Sequence, residues 1–143
     1  QRKVSRRKKG SNRRRKAVKS LTKTHQQIAN MRSDFLHKTA NHYIERYHEI
    51  YVEDLKVSNM VKNRHLSKSI SDAGWSTFFE LLTWKAEEAA RKVIRVNPRG
   101  TSQKCSGCGE VVPKSLAVRI HHCKHCGLIL DRDRNAALNI KAG

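Results

Sequence analysis

The chain has 143 residues, and 31 Lys and Arg against 12 Asp and Glu leave a formal net charge of +19, with 37% of residues hydrophobic. That length allows one domain, or one domain with a small metal module, and the modest apolar content argues against a large independent core. The charge makes a polyanion, nucleic acid first, the leading partner, while the absence of an apolar run near ~18 residues, of a signal-peptide core and of a Trp/Phe/Leu face beside the basic run argues against membrane insertion, secretion and a membrane partner.

With nothing pointing to secretion, the chain is expected to be intracellular. Paired cysteines in a reducing compartment read as metal ligands in preference to disulfides. The first residue is Gln1, not Met, as expected of a processed chain or a piece of something longer.

Residues 1–20, "QRKVSRRKKGSNRRRKAVKS", hold eleven Lys or Arg and no acid, the first acid being Asp34. Self-repulsion predicts an extended start until a polyanion binds. A solvated tail and a phosphate-contacting arm both fit that composition. From Ser11 or Asn12, the residues Val18, Leu21, His25, Ile28, Phe35, Leu36, Thr39, Tyr43 and Tyr47 recur at helical spacing without Gly or Pro. This predicts a helix of up to ~35 residues, which either lies across a larger body or breaks.

Ile50, Tyr51 and Val52 form a short β-branched and aromatic strand with Glu53 and Asp54 at its end. Chemistry in open α/β sheets collects outside the carboxyl ends of strands, so both acids are candidate site residues; a charged strand end facing water is the plainer alternative. "KVSNMVKNRHLSKSISDAGW" reads as a polar loop. A second helix is expected over 71–91, burying Phe78, Phe79, Leu82, Ala86, Ala89 and Ala90, with Trp75 and Trp84 as core or interface aromatics or base-stacking platforms. Val93–Val96 predicts a second strand, and "DRDRNAALNIKA" a final helix with Asp133 near its start.

Between that strand and helix lie Cys105 and Cys108, then Cys123 and Cys126, two Cys-x-x-Cys pairs with fourteen residues between them. Each pair lets two thiolates converge on one tight turn, and two pairs complete a tetrahedron around Zn²⁺. Gly107, Gly109 and Gly127 are placed to give these turns backbone freedom, and "VRIHH" suits a ribbon strand. His121, His122 and His125 could substitute as ligands or face nucleic acid. A site closed by four thiolates leaves no open position, which predicts a structural metal.

"YVEDLKVSNMVKN", "GWSTFFELLTWKAEEA", "VNPRGTSQKCSGCG" and "CGLILDRDRNAALNI", in that order and with the basic "RRKKGSNRRRKA" start, resemble the C-terminal half of the transposon-encoded OrfB/TnpB proteins, relatives of the type V CRISPR effectors. The resemblance implies an α/β fold: a partial RuvC-like (RNase H-type) domain with long helices, interrupted by a zinc ribbon. The implied organisation is a basic nucleic-acid-contacting segment (1–20), a partial RuvC-like domain (11–98), the ribbon (99–130) and a final RuvC-like helix (131–143). The implied activity is RNA-guided cleavage of DNA by three acidic residues with Mg²⁺ or Mn²⁺, and the implied partners are DNA and a guide RNA.

Glu53 matches the family's second acidic residue, and Asp133, two residues before the Asn of "NAA", matches the third; Asp131 and Asp54 are neighbours that could contribute. The first, in a "GIDLG"-type strand, has no counterpart here. The resemblance therefore implies a C-terminal piece that is inactive alone, its missing N-terminal part being a further partner. A zinc-ribbon nucleic-acid-binding protein or transposition regulator without activity is the competing expectation.

Overall fold

The structure is a computed structural model that describes residues 1–115 and 117–142. A four-residue helix, α1 (Arg2–Ser5), precedes the 35-residue helix α2 (Asn12–Arg46). Ser11 caps α2, its Oγ accepting the Arg14 N–H at 3.2 Å. The basic start is therefore not extended: the Arg14 guanidinium donates to the Val4 and Arg7 carbonyls at 2.9 and 3.2 Å, tying α1 back onto α2. The Arg7 guanidinium in turn donates to the Arg13 carbonyl at 3.2 Å, so two cations are engaged while the other nine of residues 1–20 are exposed.

α2 leads into strand β1 (Glu49–Glu53). The stretch read as a loop folds instead into two short helices, α3 (Val57–Met60) and α4 (Ser67–Ala73), before α5 (Trp75–Glu88) and strand β2 (Lys92–Val96). The helix expected from residue 71 is broken at Gly74, which adopts φ 65°, and a Cβ there would meet Leu36 Cδ1 at 3.3 Å. Only glycine combines that left-handed backbone with so close an approach of α5 to α2. Trp84 is 52% exposed, and Ala89 and Ala90 are exposed beyond the helix end, so none of the three belongs to the core.

β1 and β2 pair in parallel, Glu49 opposite Lys92 through Glu53 opposite Val96, with the three helices α3 to α5 as the crossover. The core is small: Ala40 and Ile44 of α2 meet Leu82 and Ala86 of α5, with Ile50, Val52, Phe78 and Val93 packed around them. Alanines on both helices allow close approach, and Leu82, 1% exposed, is the largest apolar side chain fully enclosed. Its burial contributes about 1.5–3 kcal/mol. The surface, 11280 Å², exceeds the ~7,500 Å² of a compact protein of this mass, and most residues of α2 are exposed. Among the described residues no helix is long and apolar enough to cross a membrane.

After β2 the chain forms the cysteine module, in which β3 (Ile120–His122) pairs antiparallel with β4 (Ile129–Asp131). The final helix α6 (Arg132–Ala142) leaves β4 without a linker and packs back on β1.

Candidate functional site

The two cysteine knuckles are built alike. The Gly109 N–H donates to the Cys105 carbonyl and the Gly127 N–H to the Cys123 carbonyl, both at 2.9 Å, while the Cys105 and Cys123 N–H groups donate to Glu110 and Leu128 at 2.8 and 2.9 Å. Gly109 and Gly127 carry φ 80° and 76°, the left-handed step that closes each turn. Gly107 has a different task, since a Cβ there would lie within 3.6 Å of Cys126 Sγ and 3.8 Å of Cys105 Sγ.

These turns bring the four sulfurs within 4.8 Å of one another, with Cys105 to Cys126 and Cys108 to Cys123 each at 3.6 Å. A tetrahedron with Zn–S bonds of about 2.3 Å has edges near 3.8 Å, so the donor set fits that ion. Electrostatics agree. Burial opposes ionisation of Cys105, but the Cys108 and Gly107 N–H groups and the neighbouring thiols bring it down to about 7. At Cys108 the Glu110 N–H favours the thiolate, yet burial and the other three sulfurs push it up to about 12. Four clustered thiolates need a cation to ionise together.

Among the described residues no histidine joins this cluster. His121 is fully buried, its Nδ1 against the Lys114 ammonium, and burial followed by that nearby charge lowers its pKa. It is thus neither a ligand nor a nucleic-acid contact. His122 and His125 are exposed.

The acidic residues separate into distinct environments. Glu53 ends β1, and its Oε1 accepts the Thr101 hydroxyl at 2.6 Å. Asp54, on the opposite side of the strand end, pairs instead with Arg95 at 3.3 Å. Asp131 caps the last helix, its Oδ1 accepting the Asp133 and Arg134 N–H groups at 2.8 and 3.1 Å. Asp133, in the first turn of α6, keeps its carboxylate 70% exposed beside Arg132 Nε at 3.1 Å and Arg119 Nη1 at 3.7 Å.

No hydrogen bond or ion pair joins Glu53 to Asp133 among the described residues, and no third carboxylate gathers with them. What links their elements is α6: its Ile140 lines the same apolar cavity as Glu53, beside Tyr43, Ile50 and Leu82. By themselves the two acids are an incomplete set for paired divalent ions, which need a bridging carboxylate.

Two family models match in succession. The first, "Probable transposase" (OrfB_IS605), covers residues 1–64, and the second, "Cas12f1-like, TNB domain", covers residues 75–140. A Streptomyces pristinaespiralis protein named "Putative RNA-guided DNA endonuclease" is 40% identical over 144 residues, 99% of this chain and 36% of that protein. The "TnpB-like protein L79" of Acanthamoeba polyphaga mimivirus is 30% identical over 91% of this chain and 26% of its own length. The chain belongs to the OrfB/TnpB family.

As an OrfB/TnpB chain it spans between a quarter and just over a third of the length of these curated relatives. Its fold resembles part of a solved chain in the cryo-EM structure of the "Cas12f1-sgRNA-target DNA complex", at TM-score 0.66 and 20% identity over 90% of this chain and 38% of that one. The transposase match holds α1, α2 and the strand with Glu53; the second match holds α5, β2, the cysteine module and nearly all of α6.

Three polar residues of this OrfB/TnpB chain escaped sequence reasoning. Asn135, completely buried, accepts the Ser106 N–H at 2.9 Å and donates to the Lys104 carbonyl at 2.7 Å. Asn139 donates to the Thr101 and Lys104 carbonyls, both at 2.8 Å. Two asparagines four apart on one helix face are a signal that could have marked a polar docking stripe. Thr101 carried none, because its partner Glu53 lies 48 residues away.

Proposed function

We propose that this chain is the C-terminal portion of an RNA-guided, divalent-metal-dependent DNA endonuclease of the OrfB/TnpB type. In this reading residues 11–98 and 131–143 are parts of a RuvC-like, RNase H-type domain, and residues 99–130 are an inserted ribbon held by structural Zn²⁺ on Cys105, Cys108, Cys123 and Cys126. DNA and a guide RNA are the partners, and the basic segment 1–20 contacts their phosphates. The protein would act at the nucleoid of a prokaryotic cell.

The observation that carries the reading is the placement of Glu53. It stands at the carboxyl end of a parallel strand, hydrogen-bonded to the segment that enters the first knuckle, while α6 packs on that same strand and presents Asp133. The names of the relatives and the likeness to part of a Cas12f1 chain support it. Divalent ions, when bound to a completed carboxylate set, activate the attacking water and stabilise the leaving oxygen. The contribution of this chain is two carboxylates held on adjoining rigid elements; a further carboxylate must come from outside residues 1–143.

The test is complementation. Residues 1–143 are combined with the family's upstream segment bearing its aspartate and with a guide RNA, and cleavage of matched DNA is followed. Guide-dependent cutting abolished by Glu53→Gln or Asp133→Asn supports the reading, and cutting indifferent to both substitutions defeats it.

A further inference from the structure

The Thr101 hydroxyl lies within reach of two acceptors, Glu53 Oε1 at 2.6 Å and the Pro98 carbonyl at 3.2 Å. A hydroxyl has one proton, and the shorter bond to a carboxylate is the stronger, so the proton goes to Glu53. Thr101 is 9% exposed, which limits competition from water for that bond. The same residue is held from its other side, since its carbonyl accepts from Asn139 Nδ2 at 2.8 Å.

Asn139 also donates to the Lys104 carbonyl, and one turn earlier Asn135 grips Lys104 and Ser106. Asn135 and Asn139 thus project from one face of α6 and clasp the backbone from Thr101 to Ser106, the run that enters the first knuckle and contains Cys105. A continuous bonded path leads from Glu53 through Thr101 and Asn139 to the helix that carries Asp133. It is a polar connection between two elements whose carboxylates do not touch.

We propose that Thr101 is a positioning residue for the nuclease site: it orients the Glu53 carboxylate and, with Asn139 and Asn135 as a clasp on α6, holds Glu53 in register with Asp133. The proposal rests on the endonuclease reading above. It assigns the cysteine module a mechanical task, because the clasp can close only on a folded first knuckle. A purely local role, a hydroxyl finishing the turn after Pro98, predicts no effect on chemistry.

The test has two arms. In residues 1–143 loaded with zinc, amide hydrogen exchange is compared for the parent and Asn139→Ala, with zinc content measured alongside. Faster exchange both in the 100–104 turn and along α6, at unchanged zinc content, supports the clasp; unchanged exchange at either place overturns it. In the complemented nuclease, Thr101→Val should lower kcat by about 10–100-fold, the size typical of residues that orient a ligand carboxylate. The KM for target DNA should hold, and Thr101→Ser, which keeps the donor, should retain most of the rate. If Glu53→Gln stops cleavage but Thr101→Val cuts like the parent, the Thr101 inference alone falls. If Glu53→Gln also cuts like the parent, the endonuclease reading of Glu53 falls and the positioning role falls with it.

Discussion

The side-chain oxygen of Asn135 accepts the backbone N–H of Ser106 at 2.9 Å, joining the last helix to the first cysteine knuckle across 29 residues of sequence. The amide is completely buried and also donates to Lys104, so both its polar atoms are satisfied. Asn135→Ala would orphan the Ser106 N–H, while the Lys104 carbonyl keeps its bond from Asn139. The expected cost is about 1–3 kcal/mol for the donor left unpaired, seen as a lower thermal midpoint of the zinc-loaded chain. A midpoint equal to the parent's would show that water replaces the amide.

One Zn²⁺ per chain is expected on the four cysteines, measurable by elemental analysis of protein purified without chelator. Cys123→Ser should release it and loosen the region from Pro98 onward, because a ribbon this small folds largely on metal-binding free energy. Zinc competes with protons, above all at Cys108, whose thiol is pushed up to about 12, and at Cys126, where the Leu128 N–H and the Cys108 sulfur favour the thiolate but burial and the Cys105 and Cys123 sulfurs raise the pKa on balance. Binding therefore releases protons, and the apparent zinc affinity rises with pH and falls with acid. Competition against a chromophoric chelator at several pH values reads the sign directly.

Asp131 and Asp133 should respond to substitution in opposite ways. Asp131 is a helix cap, so Asp131→Ala should destabilise by about 0.5–2 kcal/mol whereas Asp131→Asn, another good cap, should be nearly neutral. The Asp133 carboxylate is itself 70% exposed, which holds its pairs with Arg119 and the less exposed Arg132 to about 0–1 kcal/mol each, so Asp133→Asn should leave the melting temperature almost unchanged. In the complemented nuclease the ranking should invert: Asp133→Asn should abolish cleavage and Asp131→Asn should be tolerated. Loss of cleavage with Asp131→Asn at unchanged stability would move the site to Asp131.

Residues 1–143 alone should not cut DNA with Mg²⁺ or Mn²⁺ faster than the Glu53→Gln, Asp133→Asn double variant, because two carboxylates on separate elements leave a divalent ion most of its waters. Robust cleavage by the isolated chain would show that Asp54 or Asp131 completes the set.

Nucleic-acid binding should weaken steeply with salt. Arg13, Arg15, Lys16 and Lys19 ride the first turns of α2, so their joint replacement by Gln preserves the helix while removing charge. Arg14 is spared because it ties α1 to α2. Every phosphate that these cations no longer neutralise should flatten the slope of log affinity against log salt on duplex DNA by about 0.9. An unchanged slope would place the nucleic-acid surface elsewhere.

What the sequence determined by itself is what short-range chemistry dictates. The Cys-x-x-Cys spacing brings each pair of thiols onto one turn whatever surrounds it, and the helix over Asn12–Arg46 follows from uninterrupted 3.6-residue spacing behind a Ser cap. β1 and β2 likewise announce themselves as short β-branched runs. The 56–75 stretch misled because its two short helices have little apolar periodicity of their own and fold where α5 turns at Gly74 against Leu36. The tertiary structure decided the roles of residues that look alike in sequence. Glu53 and Asp54 are adjacent acids, yet strand alternation sends one to Thr101 and the other to Arg95. Asp131 and Asp133 are two apart, yet the start of α6 between them makes one a cap and leaves the other exposed. Asn135 and Asn139 become a clasp only where the knuckle backbone meets them. A hydrogen bond between groups 29 or 48 residues apart depends on how the whole chain packs, and no local pattern encodes it.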